Sequence, residues 1–376
     1  MSGHAGWLVR SWVMLVSVAI VTACAGGSSS GSPSTGSTSS DPFGTPTRPG
    51  SSPTSVTIPH STPQSSALPT HPRVTVGADA WVAVSVATLW HTPTSARAVD
   101  LPALANPAGV RQWLSKMTLA DRRALNGRAD TQALLGDRVV VVARNGSWVK
   151  VVVPDQPTPL DARGYPGWLP TIQLTALQPV TSTLVATVVA ATTYLRTDND
   201  AANPVTEISF GTRMPRLGAT GAWVRVATPT GRVLRLHAGA VVVRFPDAAA
   251  LPSAGHDVVR SAQMFDGLPY LWAGRSGFGF DCSGLTSLVF RAQGVTIPRD
   301  ADAQAVKGAA VPRGTLLPGD LLFYATRGYV HHVSMYAGDA RMVQSPNTGS
   351  AVQTIAVSTP AYAREFTGAR RNLTAR

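Results

Sequence analysis

Cys282 stands in a sequence context that is typical of a nucleophile. It follows Asp281, a good N-cap residue, and precedes Ser283 and Gly284 at the start of an apolar pattern with helical spacing. The first turn of a helix offers unpaired backbone N–H groups and the positive end of the helix dipole, and both favour a thiolate. Because the thiolate is the form that attacks carbonyl groups, we predict that Cys282 is a cysteine nucleophile.

Such a nucleophile needs a base that takes its proton and later protonates the leaving amine. Of the eight histidines, His331 and His332 are adjacent on a predicted strand, so their side chains point to opposite faces. These two are the candidates for the base. Gln344, on the next predicted strand, can hydrogen-bond the far ring nitrogen and fix the tautomer, as the third member of a triad does. Polar surface is the other interpretation of Gln344.

The elements around these residues predict three folded segments. Residues 74–178 and 179–250 contain short alternating apolar runs separated by turn residues, which indicates two small all-β barrels. Residues 251–376 begin with predicted helices, one of which carries Cys282, and continue with antiparallel strands. That order is typical of an α+β domain.

The N-terminal region predicts export. Residues 1–24 resemble a secretory signal, and the VTAC sequence ending at Cys24 resembles the lipobox of bacterial lipoproteins, whose cysteine carries lipid. An ordinary signal peptide cleaved nearby is the alternative. Residues 25–73 are rich in Gly, Ser, Thr and Pro and predict a disordered tether. We expect a protein anchored by lipid to the outer face of the cytoplasmic membrane, or a secreted one if the lipobox is not used.

Charge and composition narrow the partners. The chain has a formal net charge of +12 at pH 7, spread over arginines in every segment. This charge suits an envelope rich in anionic polymers, whereas export and the lack of a basic-aromatic motif argue against nucleic acid. The cysteines, histidines and carboxylates show no metal-ligand spacing. We expect a monomer without metal or cofactor.

The third segment resembles the NlpC-type cell-wall cysteine peptidases. Five separated motifs agree in order: PYLWAG at 269–274, FDCSGL at 280–285, IPR at 297–299, PGDL at 318–321 and HVSMY at 332–336. The resemblance implies a papain-like α+β fold and cleavage of peptidoglycan stem peptides. It also implies that Cys282 is the nucleophile, His332 the base and Gln344 the polar third residue.

The resemblance further implies residues that contact substrate. By the family pattern, Tyr270 and Asp281 hold polar groups of the substrate, Trp272 lines the pocket and Ser283 binds the D-glutamyl part. The bland alternatives are core aromatics for Tyr270 and Trp272, a helix cap for Asp281 and a first-turn residue for Ser283.

The two β-rich segments resemble the bacterial SH3-like domains of γ-D-glutamyl-L-diamino acid endopeptidases. In those enzymes the first such domain roofs the active site and recognises the free N-terminal L-Ala of a stem fragment. An ammonium taken out of water needs a carboxylate partner, and Asp100 is our candidate. A surface aspartate is the alternative. Two departures put this recognition in question, since Leu135 and Ala301 stand where relatives carry substrate-contacting hydroxyl groups.

These inferences predict an enzyme that hydrolyses the bond between the γ-carboxyl group of D-glutamate and a diamino acid, usually meso-diaminopimelate. The Cys282 N–H and a second, unassigned donor would hold the oxyanion. The alternatives are an N-acetylmuramoyl-L-alanine amidase, an acyl transferase on the same fold, and a non-catalytic wall-binding lipoprotein.

Overall fold

The structure, a computed structural model, describes residues 73–199 and 202–373. The predicted signal peptide, Cys24 and the predicted tether as far as residue 72 lie outside these residues. In the described ranges no helix has the length and apolar character needed to cross a membrane. The fold class predicted from the sequence is confirmed, because two β-rich units precede an α+β unit.

The first β-rich unit spans residues 79–175. Within it, a seven-stranded antiparallel sheet has the order β3-β2-β6-β5-β4-β1-β7. The alternation expected of half-buried strands is clearest in β4, where Val139 and Val141 are fully buried and Arg138 is exposed. The strands are Asp79–Val82 (β1), Val86–Trp90 (β2), Ala129–Leu134 (β3), Arg138–Asn145 (β4), Trp148–Val153 (β5), Tyr165–Pro170 (β6) and Leu174–Thr175 (β7).

A helical segment interrupts this sheet between β2 and β3. It contains Leu101–Leu104 (α1), Val110–Lys116 (α2) and Leu119–Arg123 (α3). Thr118 begins α3 with a capping box, in which its hydroxyl accepts from the Asp121 N–H and the Asp121 carboxylate accepts from the Thr118 N–H. Trp113 of α2 packs against Trp90 at the end of β2, with ring centroids 6.2 Å apart. This contact fixes the segment on the barrel.

The second β-rich unit spans residues 185–244. Its described residues form a seven-stranded sheet of order β10-β9-β13-β12-β11-β8-β14. The strands are Val185–Val188 (β8), Thr192–Thr197 (β9), Pro204–Ser209 (β10), Arg213–Thr220 (β11), Trp223–Ala227 (β12), Val233–His237 (β13) and Val241–Arg244 (β14).

The α+β unit spans residues 255–371. A six-stranded antiparallel sheet, β17-β22-β18-β19-β20-β21, packs against the long helix that carries Cys282. The helices are Gly255–Gln263 (α4), Cys282–Ala292 (α5), Ala301–Gln304 (α6) and Pro360–Glu365 (α7). The strands are Arg275–Ser276 (β15), Gly279–Phe280 (β16), Ala309–Ala310 (β17), Leu321–Thr326 (β18), Tyr329–Gly338 (β19), Arg341–Gln344 (β20), Gln353–Ala356 (β21) and Phe366–Arg371 (β22).

Helix α5 approaches the backbone before it unusually closely. A Cβ atom on Gly284 would lie 2.0 Å from the Gly274 carbonyl oxygen, so this position admits only glycine. The small β15–β16 hairpin leads directly into the helix at Asp281. The start of α5 is therefore pressed onto its own approach segment, which restricts where Cys282 can stand.

One hydrophobic cluster joins the three units. Val86 and Leu134 of the first unit and Phe210 of the second belong to the same buried cluster as Phe280 and Leu288 of the α+β unit. Polar contacts reinforce this junction, since the Gln132 side-chain oxygen accepts from the Arg275 N–H at 3.0 Å. The first β-rich unit is thus part of the framework around Cys282.

Candidate active site

Cys282 lies at the first position of α5 and is 9% exposed. Among the described residues it forms no disulfide. Burial and the negative charge of Asp281 raise the pKa of its thiol to about 12, although the backbone N–H groups of Val333 and Ser283 act in the opposite direction. Burial therefore favours the neutral thiol in the free protein, against the preference for a thiolate that a helix start provides.

His332 and Gln344 form a pair beside this thiol. Nε2 of His332 lies 2.6 Å from Oε1 of Gln344, and both side chains are buried. Because an amide oxygen only accepts, this contact places the imidazole proton on Nε2 and leaves Nδ1 as the basic nitrogen. Burial lowers the pKa of His332 to about 4, with the Gln344 hydrogen bond opposing the shift. The imidazole is therefore neutral at physiological pH.

The strand that carries His332 runs directly past the thiol. Val333, the next residue of β19, directs its backbone N–H at Cys282, and His332 and Cys282 line the same cleft. Two tyrosines hold the imidazole ring, with ring centroids at 5.4 Å for Tyr324 and 5.6 Å for Tyr362. The structure thus brings together Cys282, His332 and Gln344, the three predicted catalytic residues.

His331 points to the other face of the strand, as the alternation requires. Its side chain is partly exposed, and Nε2 lies 3.4 Å from a carboxylate oxygen of Glu365. It lines the same cleft as Cys282 but makes no contact with Gln344. His332 is the histidine with the geometry of an oriented base.

Arg299 organises the start of the Cys282 helix, a function that sequence reasoning missed. Its guanidinium donates to both oxygens of Asp281, at 3.1 and 2.6 Å, and to Oγ of Ser283 at 3.0 Å. Its Nε donates to Oγ1 of Thr131 on β3, at 2.8 Å. Burial opposes the charged guanidinium, but Asp281 outweighs burial and raises the pKa of Arg299, which stays charged. Arg299 is the last residue of the IPR motif, which was the signal in the sequence that could have identified it.

Asp281 also caps α5. Its Oδ1 accepts from the Gly284 N–H at 2.6 Å. The Asp281 carboxylate therefore binds both the helix end and Arg299. Asp281 acts as a helix cap and also lines the second cleft.

Within the described residues two clefts meet at Cys282. The first has a volume of about 580 Å³, and the second about 340 Å³. Tyr270, Trp272, Cys282, Asn126 and His331 line both. The first cleft is further lined by Arg123, His332, Pro346, Asn347, Thr348, Ala361, Tyr362 and Glu365. The second is further lined by His91, Gly127, Ala129, Asp130, Tyr165, Ala273, Asp281, Ser283, Arg299, Asp300, Ala301, Asp302, Tyr329 and Val330.

Tyr270 and Trp272 stand between the clefts, and each also contributes to the architecture. Burial raises the pKa of Tyr270 well above its usual range, as do the negative charge of Asp281 and the charge that Cys282 gains when it loses its proton, so the Tyr270 hydroxyl remains a proton donor beside the thiol. Trp272 donates its Nε1–H to the Ala129 carbonyl oxygen at 3.0 Å. This hydrogen bond joins the first β-rich unit to the wall of the site.

Asp100 is not placed where the sequence analysis put it. The side chain is fully buried, where Arg97 pairs with both of its oxygens at 2.8 and 2.9 Å. Trp113 donates its Nε1–H to the same carboxylate at 2.8 Å. Because every face of this carboxylate is engaged inside the helical segment, Asp100 cannot receive a substrate ammonium. The expectation for Asp100 is wrong, and its contacts are structural.

Other carboxylates line the second cleft. Asp300 receives a 3.3 Å hydrogen bond from the Tyr165 hydroxyl, and burial raises its pKa to about 6, against the lowering effect of Arg299. Asp130 lies 3.4 Å from His91, and burial raises its pKa as well. Asp300 directly follows the IPR motif without having been selected, and Asp130 lies in β3, beside Thr131.

The two noted departures from the family pattern have different outcomes. Ala301 lines the second cleft, so its missing hydroxyl bears on that surface. Leu135 is 4% exposed in the core of the second β-rich unit. Its side chain does not reach either cleft, and the expected link between Leu135 and substrate recognition is wrong.

Comparisons with known proteins agree with this arrangement. The model of the NlpC/P60 family matches residues 267–371, and that of the YKFC SH3b2 domain matches residues 188–243. A γ-D-glutamyl-L-lysine dipeptidyl-peptidase from Bacillus cereus is 42% identical over 304 residues, which are 78% of this chain and 91% of the relative. A protein of the same name from Bacillus subtilis is 36% identical over 292 residues, with 76% and 96% covered.

A solved structure gives the same picture. The crystal structure of an NlpC/P60 family protein from Bacillus cereus superposes with a TM-score of 0.75 at 40% identity. The match covers 79% of this chain and 100% of that chain.

We predict that Arg299→Met destabilises the protein strongly. Methionine fills similar space but leaves the Asp281 carboxylate buried without its cation, a change that costs about 3–5 kcal/mol in comparable pairs. Urea unfolding followed by tryptophan fluorescence measures the loss. The matched control is Arg225→Met, whose pair with Asp198 is exposed and should give no measurable change. Equal losses for the two variants would contradict a special role for Arg299.

Proposed function

This chain belongs to the NlpC/P60 family, and we propose that it is a cell-wall cysteine peptidase that cuts peptidoglycan stem peptides between the γ-carboxyl group of D-glutamate and the diamino acid. The observation that carries the proposal is the oriented Cys282–His332–Gln344 set at the junction of two clefts. The names of the two Bacillus relatives, γ-D-glutamyl-L-lysine dipeptidyl-peptidases, support the same bond.

The reaction begins from a neutral thiol and a neutral imidazole. When the γ-carbonyl carbon of the substrate approaches, Nδ1 of His332 takes the thiol proton and the sulfur of Cys282 forms a bond to that carbon. The resulting imidazolium then gives its proton to the diamino acid nitrogen as the C–N bond breaks. Water, deprotonated by His332, hydrolyses the thioester and returns the thiol. Gln344 keeps the ring in the required tautomer throughout.

The negative oxygen of the intermediate needs two donors. The Cys282 N–H at the start of α5 is one, since a first-turn N–H has no partner within its helix. We assign the Tyr270 hydroxyl as the second, because Tyr270 and Cys282 line both clefts together. Burial raises the pKa of Tyr270, so the hydroxyl keeps its proton. This assignment fills the position that the sequence left open.

The second cleft suits the acyl part of the substrate, L-Ala-γ-D-Glu. Asp130 and Asp300 supply negative charge for a free N-terminal ammonium, in place of Asp100. The Ser283 hydroxyl accepts from Arg299 at 3.0 Å and donates to Asp281 across 3.4 Å, and we propose that this O–H turns to the D-glutamyl carboxylate when substrate binds. The cleft therefore offers carboxylates to the ammonium end of the dipeptide and a hydroxyl to its D-glutamyl carboxylate.

The remaining organisation follows from the sequence. We propose domains at 74–178, 179–250 and 251–376, with the described sheets inside these limits. We also propose that the protein is a monomer; sedimentation of the tether-free protein should give one species of monomer mass.

The first experiment tests the bond and the nucleophile. Incubation with L-Ala-γ-D-Glu-meso-diaminopimelate should release L-Ala-D-Glu, seen by mass spectrometry, whereas Cys282→Ala should release none. In the same assay Tyr270→Phe should lower kcat by about 10²-fold, the usual effect of losing one oxyanion donor. Product masses showing release of the whole stem from muramic acid would indicate the amidase, and an unreactive thiol without products would indicate a wall-binding protein. A Tyr270→Phe variant with full kcat would remove that residue from the oxyanion site.

A pH profile tests the ammonium site. Below about pH 6 Asp300 gains a proton and loses its charge, so kcat/KM for the free tripeptide should rise as pH increases through 6. His332 titrates near 4 and does not contribute to this step. Asp300→Asn should remove the step, and so should acetylation of the L-Ala amine in the substrate. Persistence of the step with the acetylated substrate would contradict the assignment.

Anchoring is tested on the full chain. We propose that Cys24 carries lipid and that residues 25–73 tether the enzyme to the membrane, which places it in the envelope. Cys24→Ala should move the protein from the membrane fraction to the soluble fraction on immunoblots. Cys282→Ala is the control and should stay with the membrane. An unchanged distribution for Cys24→Ala would exclude the lipid anchor.

A further inference from the structure

The first cleft has charged residues that the proposed reaction does not use. It shares Cys282 with the acyl cleft and is also lined by His332, so under the proposed function the diamino acid that leaves in the reaction occupies it. Its volume of about 580 Å³ lies in the usual range for sites that enclose a small molecule. Arg123, Asn347 and Glu365 are among the polar residues of its lining. These residues come from the first β-rich unit, from the segment after β20 and from α7.

Arg123 differs from the other arginines of its segment. Arg97 pairs with Asp100, and Arg122 donates to the Leu114 carbonyl oxygen at 2.8 Å. Across the residues the structure describes, Arg123 has neither an ion pair nor a side-chain hydrogen bond, and it is exposed at the end of α3. Its neighbours therefore serve the fold, while the Arg123 guanidinium is available to a ligand in the cleft.

Glu365 supplies the opposite charge in the same cleft. Its carboxylate lies 3.4 Å from Nε2 of His331 and is partly exposed, at the end of α7. The cleft thus presents one cation and one anion on different elements. A ligand with a carboxylate and an ammonium close together at one end matches this pair of charges.

Two kinds of diamino acid differ at that end. Lysine ends in an ammonium group alone, whereas diaminopimelate carries a carboxylate on the same carbon as its second amine. A guanidinium pairs with a carboxylate through two parallel hydrogen bonds and repels an ammonium. On the basis of the proposed function, we propose that Arg123 selects the leaving diamino acid by binding the carboxylate at the far end of its side chain, with Glu365 receiving the adjacent ammonium.

This assignment separates the chain from the names of its relatives, which specify L-lysine. It predicts a preference for a stem whose diamino acid carries the second carboxylate. The free main-chain carboxylate of a tripeptide is the other anion within reach of the cleft. Since lysine and diaminopimelate tripeptides share that group, comparing them separates the two possibilities.

The test compares kcat/KM for three tripeptides, L-Ala-γ-D-Glu followed by meso-diaminopimelate, by meso-diaminopimelate amidated at its side-chain carboxyl, or by L-lysine. The parent should prefer the first over the other two by about ten-fold, the effect of one charge-assisted contact at an exposed site. Arg123→Gln should reduce the ratio of diaminopimelate to lysine cleavage by about ten-fold. Arg364→Gln, an exposed arginine beside Glu365 that does not line the cleft, is the matched control for lost charge.

The contrary outcomes are distinct. Equal losses on all three tripeptides in Arg123→Gln would show that Arg123 binds the main-chain carboxylate, which overturns the proposal. Unchanged ratios in Arg123→Gln, with good cleavage by the parent, would overturn it while leaving the peptidase function intact. A parent enzyme that cleaves none of the tripeptides would overturn the proposed function, and this assignment with it.

Discussion

The buried pair of Arg299 and Asp281 is the interaction on which the site depends. Asp281 caps the helix that begins with Cys282, and Arg299 binds both oxygens of that cap while reaching Thr131 in the first β-rich unit. One guanidinium therefore fixes the helix start, the adjacent Ser283 and the neighbouring barrel relative to one another. A buried ion pair with so many hydrogen bonds is costly to break, because removing either partner leaves a charge without solvent.

Burial also determines the protonation states of Cys282 and His332 in the free enzyme. The thiol and the imidazole lie out of water, so both are most stable without charge, and the helix end does not reverse that preference. In the proposed reaction, charge develops only as substrate reacts, near the proposed oxyanion donors, the Tyr270 hydroxyl and the Cys282 N–H. A site arranged in this way binds the charged transition state more tightly than the uncharged ground state. It also limits unwanted reactions of the free thiol, since thiolates are the species that oxidants attack.

Sequence reasoning found the features that neighbouring residues determine and missed those that depend on contacts between distant segments. The helix start, the strand alternation around His332 and the position of Gln344 follow from neighbouring residues, and the family motifs distinguished His332 from His331. Asp100 was misplaced because nothing in one sequence reveals that Arg97 and Trp113 surround it. Leu135 was misread because it lies in the turn between β3 and β4 of the first β-rich unit, while its side chain packs in the core of the second. Arg299 contacts Thr131 and Asp300 contacts Tyr165, in each case across more than 100 residues of sequence. Asp130 lies next to Thr131. Spacing in the sequence does not indicate such contacts.

The helical segment between β2 and β3 has its two ends side by side, because Trp90 and Ala129 are paired neighbours in the sheet. A chain that leaves and re-enters a sheet at adjacent positions can lengthen or shorten without altering the strand register on either side, and the entropic cost of loop length grows slowly. This segment nevertheless supplies Arg123 and Asn126 to the lining of the first cleft. Relatives can therefore diverge in substrate choice through insertions and deletions here, while the catalytic helix and its sheet stay unchanged.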